Sequence, residues 1–320
     1  MNPTRRALLA LAGSAPLAAH LSAQAADFPS RSLELLVPFA AGGGTDALAR
    51  AYSEVARKHL PQPVVVNNKP GASGAIGWQG VLSGRADGHT VAVLTVELTT
   101  LPHLGQVKFT HEVFTPIAQM NADPAAITVR ADAPWATLED FLAAARKADG
   151  KTQVGNAGNG SIWHLAAAAL EERANLKLSH IPFQGAAPAV LALLGGHIDA
   201  VTVSPAEVAT HVASGKLRLL GVMADARLKG FESVPTLKER GTVLSIGTWR
   251  GLGVPKATPA EAVVVLKSAT QRIMADAQMI EAMAKLNLGY QYLDDKDFKA
   301  TLVRDNEVFK ALIPKLGLKA

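Results

Sequence analysis

The chain contains no cysteine, which removes disulfide scaffolds, iron–sulfur centres and every Cys-ligated zinc site from consideration. Aromatic residues are scarce, 5% of 320, which argues against a cleft that stacks sugars on ring faces. Beyond the N-terminus there is no run of about 18 apolar residues, which argues against a multi-span membrane protein. Charge is sparse in both signs, 32 Lys+Arg against 27 Asp+Glu. The basic residues are scattered and not interleaved with aromatics, so nothing resembles a nucleic-acid patch. What is present is apolar content, 48%, which excludes disorder; the length suits about two domains.

The first 25 residues read as a secretory signal peptide. Arg5 and Arg6 form a basic start, Ala7 to Ala19 an apolar stretch broken by Gly13 and Pro16, and Ala23-Gln24-Ala25 a small-residue cleavage site. The paired arginines are compatible with either general or twin-arginine export. Removing 25 residues from 320 leaves 295, and the formal charge falls from +5 to +3 because Arg5 and Arg6 leave with the segment. The expected location is the periplasm.

The remainder predicts α/β, with a mostly parallel sheet. Leu33 to Val37 reads as a buried strand, followed by a loop and a helix from Thr45 with Leu48, Tyr52 and Val55 on one face. Further strands are predicted at Val64–Val66, His89–Thr95, Thr152–Gly155, Ile198–Thr202 and Leu217–Met223. Helices are predicted after Thr137, from Ser161 to about Arg173 and from Ala186 to Leu194. The C-terminal third reads as mostly helical, with Thr258-Pro259-Ala260-Glu261 as a capping box and proline at the first helical position.

One unit recurs: strand, glycine-rich loop, helix N-terminus. It occurs at Phe39-Ala40-Ala41-Gly42-Gly43-Gly44-Thr45-Asp46 and again at Asn156-Ala157-Gly158-Asn159-Gly160-Ser161. A helix N-terminus presents unpaired N–H groups and the positive end of the macrodipole, and glycine lets a ligand approach the backbone. Hydrogen bonds to a charged acceptor are worth roughly 1.5–3 kcal/mol each, so two such loops could bind a carboxylate at micromolar level without any arginine. The competing reading is that the glycines only make tight strand–helix turns. Gly42, Gly44 and Ala47 fit a loose dinucleotide pattern, but the next strand ends in Asn67-Asn68, with no acid for a ribose. Asp46 is expected to cap the first helix and orient its loop. His164 is either a polar residue packed by the cleft or a direct ligand contact.

No Gly-x-Ser-x-Gly elbow, no P-loop and no His-Glu-x-x-His motif occurs, so no catalytic residue, metal or cofactor is assigned. A periplasmic hydrolase is the enzyme alternative, and it lacks a nucleophile motif.

With both loops in place, the chain resembles the periplasmic solute-binding receptors of the tripartite tricarboxylate transporter type, the TctC or Bug family. The matching stretches are Val37 to Asp46, Val65 to Gly74, Ala86-Asp87-Gly88, Gly158-Asn159-Gly160-Ser161 with His164-Leu165, Ile181 to Gly185, Gly195 to Asp199, and Val234-Pro235-Thr236. Their order and spacing carry the resemblance over about Phe28 to Leu318. It implies a type II periplasmic-binding fold, two α/β lobes joined by two crossover strands: lobe 1 over 27–121 and 222–320, lobe 2 over 122–221.

The resemblance also implies a non-enzymatic receptor, monomeric, that binds a small organic carboxylate or amino acid and serves membrane permease subunits. A sensor kinase ectodomain is the alternative partner. The family holds a ligand carboxylate with backbone amides of the two loops, here Phe39, Ala40, Gly42, Gly43, Gly44, Thr45 and Asp46, and Ala157, Gly158, Asn159, Gly160 and Ser161. The far end of the ligand would meet Ser73, Thr95, Glu97, Phe183, Gln184, Gly185 and Trp249. Ala41 stands where proline is frequent, Phe183 where tyrosine is, and Gln184 where lysine is. Glu97 has two readings. Facing the cleft, it would disfavour a second carboxylate and favour an amine or hydroxyl; facing solvent, it would say nothing.

Overall fold

The computed structural model describes residues 28–318. The predicted signal peptide lies outside the described residues. The chain is laid down in three passages. The first builds β1 (Leu33–Val37), α1 (Gly44–Ala56), β2 (Val64–Asn68), α2 (Ala75–Leu82), β3 (Thr90–Thr95) and the long β4 (Phe114–Pro124). The second builds β5 (Ala126–Arg130), α3 (Leu138–Ala148), β6 (Gln153–Asn156), α4 (Ile162–Ala174), β7 (Ser179–Pro182), α5 (Ala186–Leu194), β8 (Ala200–Val203), α6 (Pro205–Ala213) and β9 (Leu217–Val222). The third returns through β10 (Gly247–Pro255) to α7 (Ala260–Ala275), α8 (Ala277–Lys285), β11 (Tyr290–Leu293) and α9 (Asp295–Leu312).

Two sheets result. The first has the order β11-β4-β10-β3-β1-β2, the second β7-β6-β8-β5-β9. The chain crosses between them at Ala125 and again between β9 and β10. The crossings are tied together: Met223 N donates to Ala125 O (2.8 Å), Ala125 N to Ile246 O (2.9 Å), and Ile246 N to Met223 O (3.1 Å).

The architecture is α/β as expected, but the sheets are mixed rather than mostly parallel. β1 runs parallel to β2 and β3, and β6 parallel to β7 and β8. β10 is antiparallel to both β3 and β4, and β5 to both β8 and β9. The reason is the crossing itself. A strand–helix–strand unit yields parallel neighbours, whereas β10, re-entering from the other sheet, slots between β3 and β4 in the opposite sense. This strand lies in the third of the chain that reads as mostly helical.

Burial explains the elements. β1 (LELLV) is near-continuously apolar because helices cover both faces of its sheet. Leu35, Val37, Leu48, Tyr52, Ile117, Ile273 and Met283 form one core on the α1, α7 and α8 side. A second core runs from the other face of the first sheet through Trp249 and Phe298 into the second sheet, around Phe141, Leu165 and Leu193. Thr137 starts α3, as the sequence predicts, and the structure adds a complete capping box with Asp140. The box predicted at Thr258 does not form. Pro259 takes the N-cap position with extended backbone, α7 begins at Ala260, and the buried Thr258 hydroxyl has no partner. Among the described residues no helix is long and apolar enough to cross a membrane.

Candidate functional site

The two glycine junctions face each other across the gap between the sheets. The first loop leaves β1 and opens α1, with Gly43 as an N-cap that has no side-chain bond. Asp46 does not cap the helix. It lies inside the first turn and reaches back, its Oδ2 accepting from Gly42 N and Arg50 Nε (2.9 Å each), and so orients the loop. The second loop leaves β6 and opens α4, where Ser161 is the cap and accepts from His164 N (3.3 Å).

Direct bonds shut the gap. Ala40 N donates to Gln184 O (3.2 Å), Ser73 Oγ to Asn159 O (2.7 Å) and Thr100 Oγ1 to Gly160 O (3.1 Å). The approach is close enough to demand glycine at 158. Its φ is +119°, and a Cβ there would sit 2.7 Å from Ser73 Oγ.

Two further bonds bear on function. Ile162 N, in the first turn of α4, donates to Glu97 Oε1 at 2.9 Å. Gly44 N, in the first turn of α1, donates to Glu207 Oε1 at 3.3 Å. Each helix N-terminus therefore holds a carboxylate that comes from the opposite side of the gap. Glu97 sits on the 3-10 turn after β3, 2% exposed, and also accepts from Thr95 Oγ1. This decides its orientation: it faces inward. Burial pushes its carboxyl above the usual range, against the pull of the Ile162 N–H and the Thr95 hydroxyl. Glu207, on α6, is pushed up to about 6, first by burial, with the Arg250 charge opposing.

Arg250 binds the arrangement together. Its guanidinium is 1% exposed. Nε donates to Thr45 Oγ1 (2.9 Å), Nη1 to Asn121 Oδ1 (2.9 Å) and Asp123 Oδ2 (2.6 Å), and Nη2 to Glu207 Oε1 (3.3 Å). Neither Arg250 nor Glu207 follows from the loop motifs, and both line the cavity beside the loop residues. A signal for Arg250 was present: one charge within the otherwise apolar stretch Gly247 to Pro255 implies a buried, paired guanidinium.

These groups enclose a cavity of about 20 Å³, with room for about one water molecule. Of the predicted residues it is lined by Phe39, Ala40, Gly43, Gly44, Thr45, Thr95, Glu97 and Ala157. Trp163, Ala186, Glu207, Thr248 and Arg250 complete the wall. Trp249, predicted at the far end of a ligand, points away. Its Nε1 donates to Asp305 Oδ2 (2.8 Å) and its ring stacks edge-on against Phe298. The two-residue period of β10 turns Thr248 and Arg250 inward and Trp249 outward.

Gly42, Asp46, Ser73, Gly158, Asn159, Gly160, Ser161, Phe183, Gln184 and Gly185 lie behind the wall, in the loops and contacts that close it. His164 is there too. Its Nδ1 accepts from Gly160 N (3.1 Å) and its ring stands 4.7 Å from His180. Burial, helped by the His180 charge, lowers its pKa to about 4, so it is neutral near pH 7 and acts as a loop-holding acceptor. Among the described residues no cluster of three metal-ligating side chains occurs.

A family model for the tripartite tricarboxylate transporter family receptor (TctC) matches residues 48–318. The chain is 34% identical over 327 aligned positions to the UPF0065 protein in the gbd 5′ region of Cupriavidus necator, covering 98% of each. A TctC solute-binding protein from Polaromonas, solved without ligand, is 56% identical, with a TM-score of 0.66 over 90% of this chain and 99% of that one. MatC of Rhodopseudomonas palustris, solved with bound malate, is 25% identical, with a TM-score of 0.84 over 89% of this chain and all of that one.

Proposed function

The chain belongs to the tripartite tricarboxylate transporter receptor family, solute-binding receptors rather than enzymes, and on that premise we propose that it captures a small organic carboxylate in the periplasm, between its two sheets, for a membrane permease. One observation carries the reading: the α1 and α4 N-termini already each hold a carboxylate, Glu207 on Gly44 N and Glu97 on Ile162 N. Amide groups at helix starts that donate to the protein's own carboxylates are chemically suited to donate to those of a ligand.

A cavity of about 20 Å³ admits no such ligand, so binding requires the lobes to part and close again. In this reading the first sheet with its helices moves as one body and the second sheet with its helices as the other, hinged where the chain crosses at Ala125 and between β9 and β10. The superpositions support it. The ligand-free Polaromonas chain, though 56% identical, fits less well than malate-bound MatC at 25%, 0.66 against 0.84. Rigid-body displacement of lobes lowers a global superposition without reference to sequence similarity. MatC also supports a carboxylate as ligand class.

Calorimetry with carboxylic acids and their matched neutral amides tests the proposal. Binding is expected for acids only. An amide that binds as tightly as its acid would sink the anion site.

A further inference from the structure

The cavity is charged, and its charge has the wrong sign for a plain carboxylate. Glu97 and Glu207 line it, and among the described residues Arg250 is the one basic side chain in the wall. Arg250 is already matched by Asp123 Oδ2 at 2.6 Å before Glu207 is counted. The nearby Asp46–Arg50 pair balances itself. With all groups ionised, Glu97, Glu207 and Asp123 against Arg250 leave two negative charges in excess. Glu207 loses part of its share near pH 6, where it titrates. Among the described residues Glu97 makes no salt bridge; the Arg250 charge, engaged by Asp123 and Glu207, is the weakest of the pulls towards its ionised form. Its two donors, Ile162 N–H and the Thr95 hydroxyl, are neutral dipoles.

Resting on the carboxylate-receptor reading above, we propose that Glu97 is a specificity-determining residue that selects ligands bearing a cationic nitrogen beside the carboxylate, amino acids in class, and turns away dicarboxylates. The ligand carboxylate takes first-turn amides. The ammonium takes Glu97, supplying the counter-charge that burial otherwise denies it. A second carboxylate at the same place meets Glu97 and Glu207 as a like charge in a site screened from water. A hydroxyl can hydrogen-bond to Glu97 but cannot neutralise it.

The test compares ligands that share a skeleton and differ only in this group. Thermal-shift titration of the full mature chain is run with a pool of the common amino acids and a pool of the corresponding 2-hydroxy acids and dicarboxylates. Calorimetry follows on whichever members respond. The wild type is expected to prefer an amino acid over its hydroxy counterpart by about tenfold or more. Glu97→Gln, which keeps the shape and an acceptor for Ile162 N–H, is expected to reduce that ratio to near one. A wild type that binds hydroxy acids or dicarboxylates as tightly as amino acids overturns the role of Glu97 and leaves the carboxylate receptor standing. So does a Glu97→Gln protein with the ratio unchanged. Response to neither pool overturns both readings. The wild-type ratio decides the matter even if the variant does not fold.

Discussion

Arg250 and Glu207 meet across the cleft, with Nη2 on β10 of the first sheet 3.3 Å from Oε1 on α6 beside the second. The same Glu207 oxygen accepts from Gly44 N, so one carboxylate joins a strand, a glycine loop and the facing lobe. Arg250 in turn anchors Asp123 on β4, the strand that leads into the crossing. Closure of the cleft and the electrostatics of its wall are thus one set of contacts.

Replacing Arg250 with methionine strands Asp123 and Glu207 as buried, uncompensated carboxylates. Breaking one side of such a pair costs about 3–5 kcal/mol. Urea denaturation of Arg250→Met should show a loss of that order. Arg250→Lys should recover only part of it, since a single ammonium cannot reach Thr45, Asn121, Asp123 and Glu207 together. Equal stability of the methionine variant and the wild type would show the pair to be unimportant.

Adjacent glycines of the first loop should differ. A Cβ on Gly44 would lie 2.9 Å from Arg250 Nη2 and 3.1 Å from Glu207 Oε1, both held by their own bonds. On Gly43 the nearest atom is Ala187 N at 3.8 Å, an ordinary contact. Gly44→Ala is expected to destabilise by about 1–3 kcal/mol, the usual cost of overpacking, and to loosen the closed form in small-angle scattering. Gly43→Ala is expected to stay within about 0.5 kcal/mol of wild type. The reverse ranking would mean that the loop is not packed against the ion pair.

Stability should carry the signature of Glu207. Its folded pKa, about 6, lies above the ordinary 4.5. Between those values the folded chain binds more protons than the unfolded one, so this group's contribution falls as pH rises through the window. The full effect is on the order of 2 kcal/mol. Glu97 slopes the same way and carboxylates held low, such as Asp46, the opposite way, so the difference between proteins is the clean measure. Glu207→Gln should gain on the wild type as pH goes from 4.5 to 6, by guanidinium denaturation at stepped pH. A flat difference would mean that Glu207 titrates normally.

The two strand–glycine–helix junctions, the helix starts at Ser161 and Thr137 and the apolar face of α1 are all legible in the linear chain. So is the family, because its stretches are short and keep their order. These features depend on backbone conformation over a few neighbouring residues, where glycine's missing Cβ and a serine's capping oxygen act directly. Arg250, Glu207 and the inward turn of Glu97 are different. Arg250 and Glu207 stand 43 positions apart, on elements that meet only once β10 has crossed back between β3 and β4. Whether Trp249 or its neighbours face the cavity depends on strand phase, and a shift of one residue reverses it. The strand–glycine–helix pattern already points to two helix N-termini with amides free for an anion. Which carboxylates reach them is a matter of packing, because a buried charge settles where a counter-charge or donors come within hydrogen-bonding distance, and long-range contacts set that distance.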